Sequence, residues 1–362
     1  LRSAFTTGAV PGTPDAGPAA TEAAVAPPAP ARTRRTLARR GRRRINLALQ
    51  GGGAHGAFTW GALDRLLQEP DLDLVGISGA SAGAVNAVVA ASGLAQGGRE
   101  GARAALAAFW GRVGAEARRS PLSPTPIERA LGLGELGLAA RQAWLGGVAQ
   151  LASPYDLAPA GRNPLADLLA ASVDFERLRR EPPVRLFVSA TNVRSGKVRN
   201  FGPGEISLEV VLASACLPQL FHAVEIDGEH YWDGGYAANP PVLPLVDGTD
   251  CRDIVIVQVD PVRIRALPKT ARAIRERVQV LAFNAGFLRE MHEVASRQGV
   301  RLHVIQAEAA MARLGSASKL DASSAFLDRL AALGRKHAGI FLARHKAAIG
   351  SRSSLDVKAR YL

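Results

Sequence analysis

The chain has 362 residues, enough for two average domains or one large one with a sizeable buried core. Apolar residues make up 47% and charged residues 21%, while aromatics reach only 5%, so the core is expected to rest on Ala, Leu and Val. Two cysteines, Cys216 and Cys251, exclude a disulfide framework or a cysteine-based zinc cluster.

Residues 1–44 are rich in Ala, Pro, Thr and Gly without a sustained hydrophobic period, and are expected to form a disordered leader. Residues 1–45 hold nine Arg against Asp15 and Glu22, a net +7 out of the formal +13. The other 317 residues keep only +6, so the folded part is not expected to bind nucleic acid. Eight of those Arg fall within Arg32–Arg44. That tract reads as a solvated linker or as a patch attracted to anionic lipid. An organelle transit peptide shares its composition, but the basic-then-apolar order of a secretory signal is missing.

Two stretches, Ile45–Leu63 and Leu74–Gly98, lack Asp, Glu, Lys and Arg over a length that could span a membrane. Glycines at 51, 52, 53 and 56 break the first, and glycines at 76, 79 and 83 the second. Each reads as a buried strand, a tight turn and a closely packed helix. The elements expected are strand Ile45–Leu49, helix Gly56–Gln68, strand Leu74–Ser78 and helix Ala82–Ser92. Pro121–Ser172 is Leu/Ala/Gly-rich with seven charges in 52 residues, suited to a lid, an acyl groove or helices buried on a sheet. Strand Arg185–Val193, a hairpin over Ala223–Trp232 and strand Asp253–Asp260 follow. After Thr270 the pattern is helical, with one strand at Val300–Ala307. Strands alternating with helices predict an α/β fold, with a mainly parallel central sheet flanked by helices and a helical C-terminal extension. Three segments are expected: the leader 1–44, a catalytic domain 45–247, and 248–362, with the last strands and the extension packed on the same domain.

Gly79-Ala80-Ser81-Ala82-Gly83 is a G-x-S-x-G sequence between a strand and a helix. A serine lifted on so tight a corner needs small neighbours, and the following helix favours negative charge at the serine. Upstream, Gln50-Gly51-Gly52-Gly53-Ala54-His55-Gly56 exposes successive backbone N–H groups, suited to a phosphate or an oxyanion. Gly51, Gly53 and Gly56 also fit G-x-G-x-x-G. A dinucleotide fold would then need an acid closing the second strand, whereas Asp71 and Asp73 precede that strand. None of the seven histidines sits in a motif that marks a base; His222 and His230 merely flank the hairpin. Asp233, followed by Gly234 and Gly235, is the better candidate, although Asp-Gly alone is commonly just a turn.

In chain order, GGGAHGAF at Gly51–Phe58, GASAG at Gly79–Gly83, ASACLP at Ala213–Pro218 and DGG at Asp233–Gly235 resemble the patatin-like phospholipase family. The resemblance spans about Leu47 to Val246. VDFERLR at Val173–Arg179, SATNV at Ser189–Val193 and FNAGFLRE at Phe283–Glu290 resemble bacterial members with a helical C-terminal extension. The resemblance implies a Ser–Asp dyad with Ser81 as nucleophile and Asp233 as base. It also implies an oxyanion hole from the backbone of Gly51, Gly52 and Gly53, with Gly56, Gly79, Gly83, Gly234 and Gly235 as supporting motif positions. Where the family commonly has Arg or Lys, this chain has His55, which weakens the expectation of a fixed positive charge for an anionic head group.

The activity so implied is lipid acyl hydrolysis through an acyl-enzyme, of the phospholipase A or lysophospholipase type, with no metal and no cofactor. The rival readings are an intracellular polyester (hydroxyalkanoate) depolymerase using the same dyad, and a non-catalytic membrane-surface protein. The expected partner is a lipid or other acyl ester, with peripheral contact to anionic membrane through Arg32–Arg44. The expected location is the cytoplasm.

Overall fold

A computed structural model describes residues 41–119, 152–157, 161, 163–264 and 266–362. Residues 1–40 of the leader, with Arg32–Arg40, and residues 121–151, 158–160 and 162 of the Leu/Ala/Gly-rich stretch lie outside the described residues. The strands are β1 (Arg43–Leu49), β2 (Leu72–Gly79), β3 (Arg185–Asn192), β4 (Val198–Phe201), β5 (Val224–Ile226), β6 (Glu229–Asp233), β7 (Asp253–Gln258) and β8 (Arg301–Gln306). They form one sheet in the order β5-β6-β3-β2-β1-β7-β8, with β4 also on β3. β1 runs parallel to β2 and β7, β2 to β3, and β7 to β8. β4, β5 and β6 add an antiparallel edge.

Longer helices connect and cover these strands. They are α1 (Gly56–Leu67), α2 (Ala82–Arg119), α3 (Pro164–Ala170), α4 (Phe175–Arg180), α5 (Leu208–Ser214), α6 (Leu243–Gly248), α7 (Ala271–Ser296), α8 (Ser324–His345) and α9 (Val357–Tyr361). Residues 42–362 form one unit. Alternation along each strand divides the core into two layers. Val255 and Val257 of β7 join Leu47 and Leu49 of β1 against α1, α2 and α8. Ile254 and Ile256 face the other way, onto Leu245 of α6 and Phe287 and Met291 of α7. A strand buried on both faces needs the unbroken apolar run that DIVIV supplies.

β1 begins at Arg43, two residues before the pattern suggests, because ion pairs absorb its first side chains. Arg43 meets Asp71 at 3.5 Å and Arg44 meets Asp250 at 2.6 Å. The helix expected over Ala82–Ser92 continues to Arg119, broken only at Gly97–Gly98, where Gly98 takes φ 60°. β4 was not foreseen; its VRNF sequence is too polar to show a strand pattern. The β5–β6 hairpin turns on Asp227 and Gly228, both at positive φ, as a two-residue turn of the primed type requires. The C-terminal α8 shares the core of α1: a β-carbon on Gly61 would stand 1.9 Å from Ala331 O, and one on Gly334 would stand 2.0 Å from Phe58 O.

β2 and β7 flank β1, so the chain reverses its winding there. Ligands of open α/β sheets bind outside the carboxyl ends of the strands at such a point. The carboxyl ends of β1, β2 and β7 carry the residues that follow.

Candidate active site

Ser81 stands between β2 and α2 with φ 54°, a left-handed conformation that costs an ordinary residue about 1–2 kcal/mol. The corner is held on several sides. The Ser81 N–H donates to Ser214 O at 3.1 Å and to Ser214 Oγ at 3.0 Å, and Ser214 Oγ donates to Ser189 O at 2.7 Å. Gly83 N–H closes the turn onto Ala80 O at 2.8 Å. Gly79 and Gly83 face each other, and a β-carbon on Gly79 would stand 2.4 Å from Gly83 C. The start of α2 directs its N-terminal dipole at the serine.

The glycine turn lies beside this corner. A β-carbon on Gly51 would stand 2.6 Å from Ser81 Cβ and 2.6 Å from Ala80 O. Gly53 takes φ +59°, and a β-carbon there would stand 2.4 Å from Lys319 O. Gly56 brings the start of α1 onto Ala82, and Asn86 Nδ2 clamps the two helices by donating to Gly56 O at 3.0 Å. The three glycines are not equivalent. Gly51 N–H already donates to Asn239 Oδ1 at 2.7 Å. Among the described residues, the N–H groups of Gly52 and Gly53 donate to no protein group.

Gln50 fixes the turn from behind. Its Oε1 accepts the N–H groups of Val259 and Asp260 at 2.7 and 2.8 Å, and its Nε2 donates to Asn239 O at 3.1 Å. One buried amide thus joins the ends of β1 and β7 to the Asn239 loop.

Asp233 ends β6 and is fully buried. Its N–H donates to Cys216 O at 2.8 Å, and its carbonyl accepts Thr191 Oγ1 at 2.8 Å. Oδ1 accepts the Gly235 N–H at 2.7 Å, whereas Oδ2 is buried without a hydrogen bond of ordinary geometry. Burial pushes the carboxyl up to about 6; the Ser81 hydroxyl, the Gly235 N–H and the Lys319 charge hold it from rising further. Gly234 sits against Ser189 O, and Gly235 lies under the Phe283 ring of α7. Ser81, Asp233 and the glycine turn, far apart in sequence, therefore meet at one place.

His55 is buried, with Nε2 2.7 Å from Ser318 Oγ. Burial, assisted by Lys319, lowers its pKa to about 4, so the ring is neutral near pH 7. The positive charge nearby belongs to Lys319, whose Nζ meets the buried Asp260 carboxylate at 2.7 Å. His222 stacks on Tyr155 at 4.1 Å, and His230 lies 3.9 Å from Glu225. A serine–histidine–aspartate cluster does occur elsewhere, on β8. His303 joins Ser354 Oγ at 2.8 Å to Asp253 Oδ1 at 3.2 Å. There the Ser354 and Leu355 N–H groups both donate to Leu302 O, and Arg301 pairs with Asp253 at 2.6 Å.

Lys319, Asp260, Gln50, Asn239 and Ser214 were not singled out from the sequence. Ser214 falls inside the quoted ASACLP block, and Gln50 directly precedes the glycines; Lys319 carries no local signal.

The sequence profile of the Patatin-like phospholipase family matches residues 47–246. No curated relative matches the chain. Among solved structures, VipD from Legionella pneumophila is similar over 84% of this chain and 67% of its own, at 15% identity and a TM-score of 0.42. ExoU of Pseudomonas aeruginosa, in its heterodimeric complex with SpcU, is similar over 83% of this chain at 17% identity and a TM-score of 0.32. The chain spans 52% of that ExoU structure. Among the described residues, no helix is long and apolar enough to cross a membrane.

Proposed function

The chain belongs to the patatin-like phospholipase family, and from that premise we propose that it hydrolyses carboxylic esters of lipids with a Ser81–Asp233 dyad. The observation that carries this reading is the Asp233 carboxyl. It is buried, with one oxygen left without a hydrogen bond and the Ser81 hydroxyl close enough to stabilise the charged form. With a pKa of about 6, it is mostly ionised at pH 7 and still basic enough to take a proton.

In the first half-reaction, Asp233 takes the Ser81 proton as Oγ bonds to the ester carbonyl carbon, and the carbonyl electron pair moves to oxygen. Gly52 and Gly53 N–H groups supply the oxyanion contacts. Gly51 contributes close approach instead, since its own N–H is engaged by Asn239. Collapse breaks the bond to the leaving alkoxide, which takes the proton from Asp233 and leaves an acyl-serine. Water then gives a proton to Asp233 and attacks the acyl carbon. Ser81 departs, takes that proton back, and the fatty acid is released.

The test is a parallel assay of wild-type and Ser81→Ala protein on dispersed phospholipid, lysophospholipid and a hydroxyalkanoate polyester. Lipid ester hydrolysis that disappears in the variant is expected. Hydrolysis of the polyester alone would overturn the lipid assignment.

A further inference from the structure

Glu290 of α7 is a buried carboxyl that the reaction above does not use. It lies beyond residue 246, where the family-matched segment ends. Its Oε2 accepts the Val242 N–H at 2.5 Å and the Leu243 N–H at 3.1 Å. Val242 caps α6 and Leu243 is that helix's first residue, so neither N–H has an acceptor within the helix. A valine cap offers no side-chain oxygen, and Glu290 reaches across from α7 in its place.

The stretch that Glu290 anchors leads back to the site. It begins at Asp233, and Asn239 within it holds the glycine turn by accepting the Gly51 N–H at 2.7 Å. Between Asn239 and Val242 the chain has little freedom. Pro240 and Pro241 have fixed φ, and Ser78 Oγ at the end of β2 donates to Pro241 O. A displacement at Val242 is therefore passed to Asn239 instead of being absorbed on the way.

The same face of α7 meets this stretch at other points. Asn284 Oδ1 accepts Gln50 Nε2 at 3.4 Å, and that Nε2 also donates to Asn239 O at 3.1 Å. A β-carbon on Gly286 would stand 2.0 Å from Ala237 O, and one on Gly235 would stand 2.4 Å from the Phe283 ring. Phe283, Gly286 and Glu290 follow one another at spacings of three and four, as one helix face requires. The ring and glycine contacts limit how closely α7 approaches. Two hydrogen bonds to one carboxylate oxygen fix direction as well.

We propose that Glu290 is a positioning residue: through Val242, Leu243 and Asn239 it sets where the Gly51–Gly53 turn stands against Ser81. The proposal rests on the reading that Ser81 and the Gly52 and Gly53 N–H groups cleave an ester, and it gives the C-terminal region a part in that reaction.

The test measures kcat and KM of the full chain on a short p-nitrophenyl ester, per folded molecule, with folding followed by circular dichroism. Glu290→Gln keeps an oxygen acceptor of the same reach and should hold kcat within about threefold. Glu290→Met has similar length without a comparable acceptor, and should lose about tenfold or more in kcat while KM stays within about twofold. A Glu290→Met kcat within about twofold of wild type would overturn the proposal, since the carboxyl would then serve stability alone. Equal losses in the two variants would overturn it too, because the acceptor would not be what matters. Should Glu290→Met fail to fold, Glu290→Asp, which draws the acceptor back by one methylene, takes its place in each comparison.

A double-mutant cycle reads the link through Asn239. Once Asn239→Ala has removed the Gly51 acceptor, adding Glu290→Met should cost little more in kcat. Losses that multiply would overturn the proposed route. Hydrogen exchange over residues 50–53 does not depend on turnover. It should quicken in Glu290→Met and keep the wild-type rate in Glu290→Gln, and no change in either variant would overturn the proposal. Quickened exchange in Glu290→Met, together with a Ser81→Ala protein that still hydrolyses the ester, would leave the positioning of the turn standing and remove the dyad reading.

Discussion

Gly51 lies so close to Ser81 that a β-carbon built on it would stand 2.6 Å from the serine's own. Sequence spacing puts thirty positions between them; the sheet closes that distance by pairing β1 with β2, Leu49 opposite Gly79. The contact also fixes where the next two residues point, because Asn239 and Gln50 hold the turn from the other side.

The first prediction follows from that contact. Gly51→Ala must displace either the Ala80 carbonyl or Ser81 itself, so kcat/KM on a short p-nitrophenyl ester should fall about a hundredfold or more. At Gly52 the added carbon would meet side-chain atoms alone, Val259 Cγ2 at 3.0 Å and His55 Cβ at 3.5 Å, and the N–H remains in place. Gly52→Ala should therefore lose far less, and the ratio of the two rates reads the difference. Equal losses would show that the close approach to Ser81 does not matter.

A second prediction concerns pH and turnover. As the proposed base, Asp233 would take a proton only when ionised, and burial raises its pKa to about 6. The rate on a soluble ester should rise with pH through about 6 and level off above about 7. Lys319→Gln removes a charge that favours the carboxylate, so the midpoint of the profile should move upward. A midpoint that stayed near 4, or did not respond to Lys319, would contradict the assignment.

The third prediction is the stability counterpart, with the sign reversed from a salt-bridged acid. The native pKa of Asp233 is raised above its ordinary 3.8, so the native state holds the proton more tightly than the unfolded chain. Its contribution is fully favourable below pH about 4 and is lost as pH rises through about 6. At pH 8 the buried carboxylate costs about 3 kcal/mol. Asp233→Asn should then be more stable than wild type at pH 8 by about 2–3 kcal/mol, and show no gain at pH 4. Urea unfolding at the two pH values measures it; an equal difference at both would exclude titration of Asp233 as the cause.

Histidine supplies the fourth. Single replacement of His222, His230, His337 or His345 by Gln should leave ester turnover within about tenfold, equivalent to about 1.4 kcal/mol of barrier. His303→Asn is different in kind. It leaves the buried Asp253 and Ser354 short of a partner, so about 1–3 kcal/mol of stability should be lost while the rate per folded molecule persists. A thousandfold loss of rate in a folded histidine variant would point to a triad.

What the sequence reveals of this site is its local part. Strand–glycine–helix corners are written within ten residues, and so Ser81 and the Gly51–Gly53 turn are legible as chemistry before any fold is known. Asp233 is legible from its residues only as a candidate base, and the resemblance gives it that role, because an Asp-Gly pair in isolation is a common turn. The supporting residues are hidden for a physical reason: each acts across the sheet. Gln50 reaches Val259 and Asp260, Ser214 reaches Ser81, and Lys319 comes from a one-turn segment after β8 whose sequence, SASKL, has no periodicity to mark it. Counting glycines likewise cannot tell which N–H is free, and Gly51 turns out to be engaged. The antiparallel edge strand β4 escaped because four residues with two charged or amide side chains carry no period-two pattern.

The most direct test of the dyad is covalent trapping with a fluorophosphonate, read by intact and peptide mass spectrometry on wild-type, Asp233→Asn and His55→Gln protein. One adduct per chain on Ser81 is expected in the wild type. Labelling of Asp233→Asn should slow by about a thousandfold, while His55→Gln should label at a rate within about tenfold of wild type. An adduct on any other serine, or labelling of Ser81 at an undiminished rate in Asp233→Asn, would contradict the account.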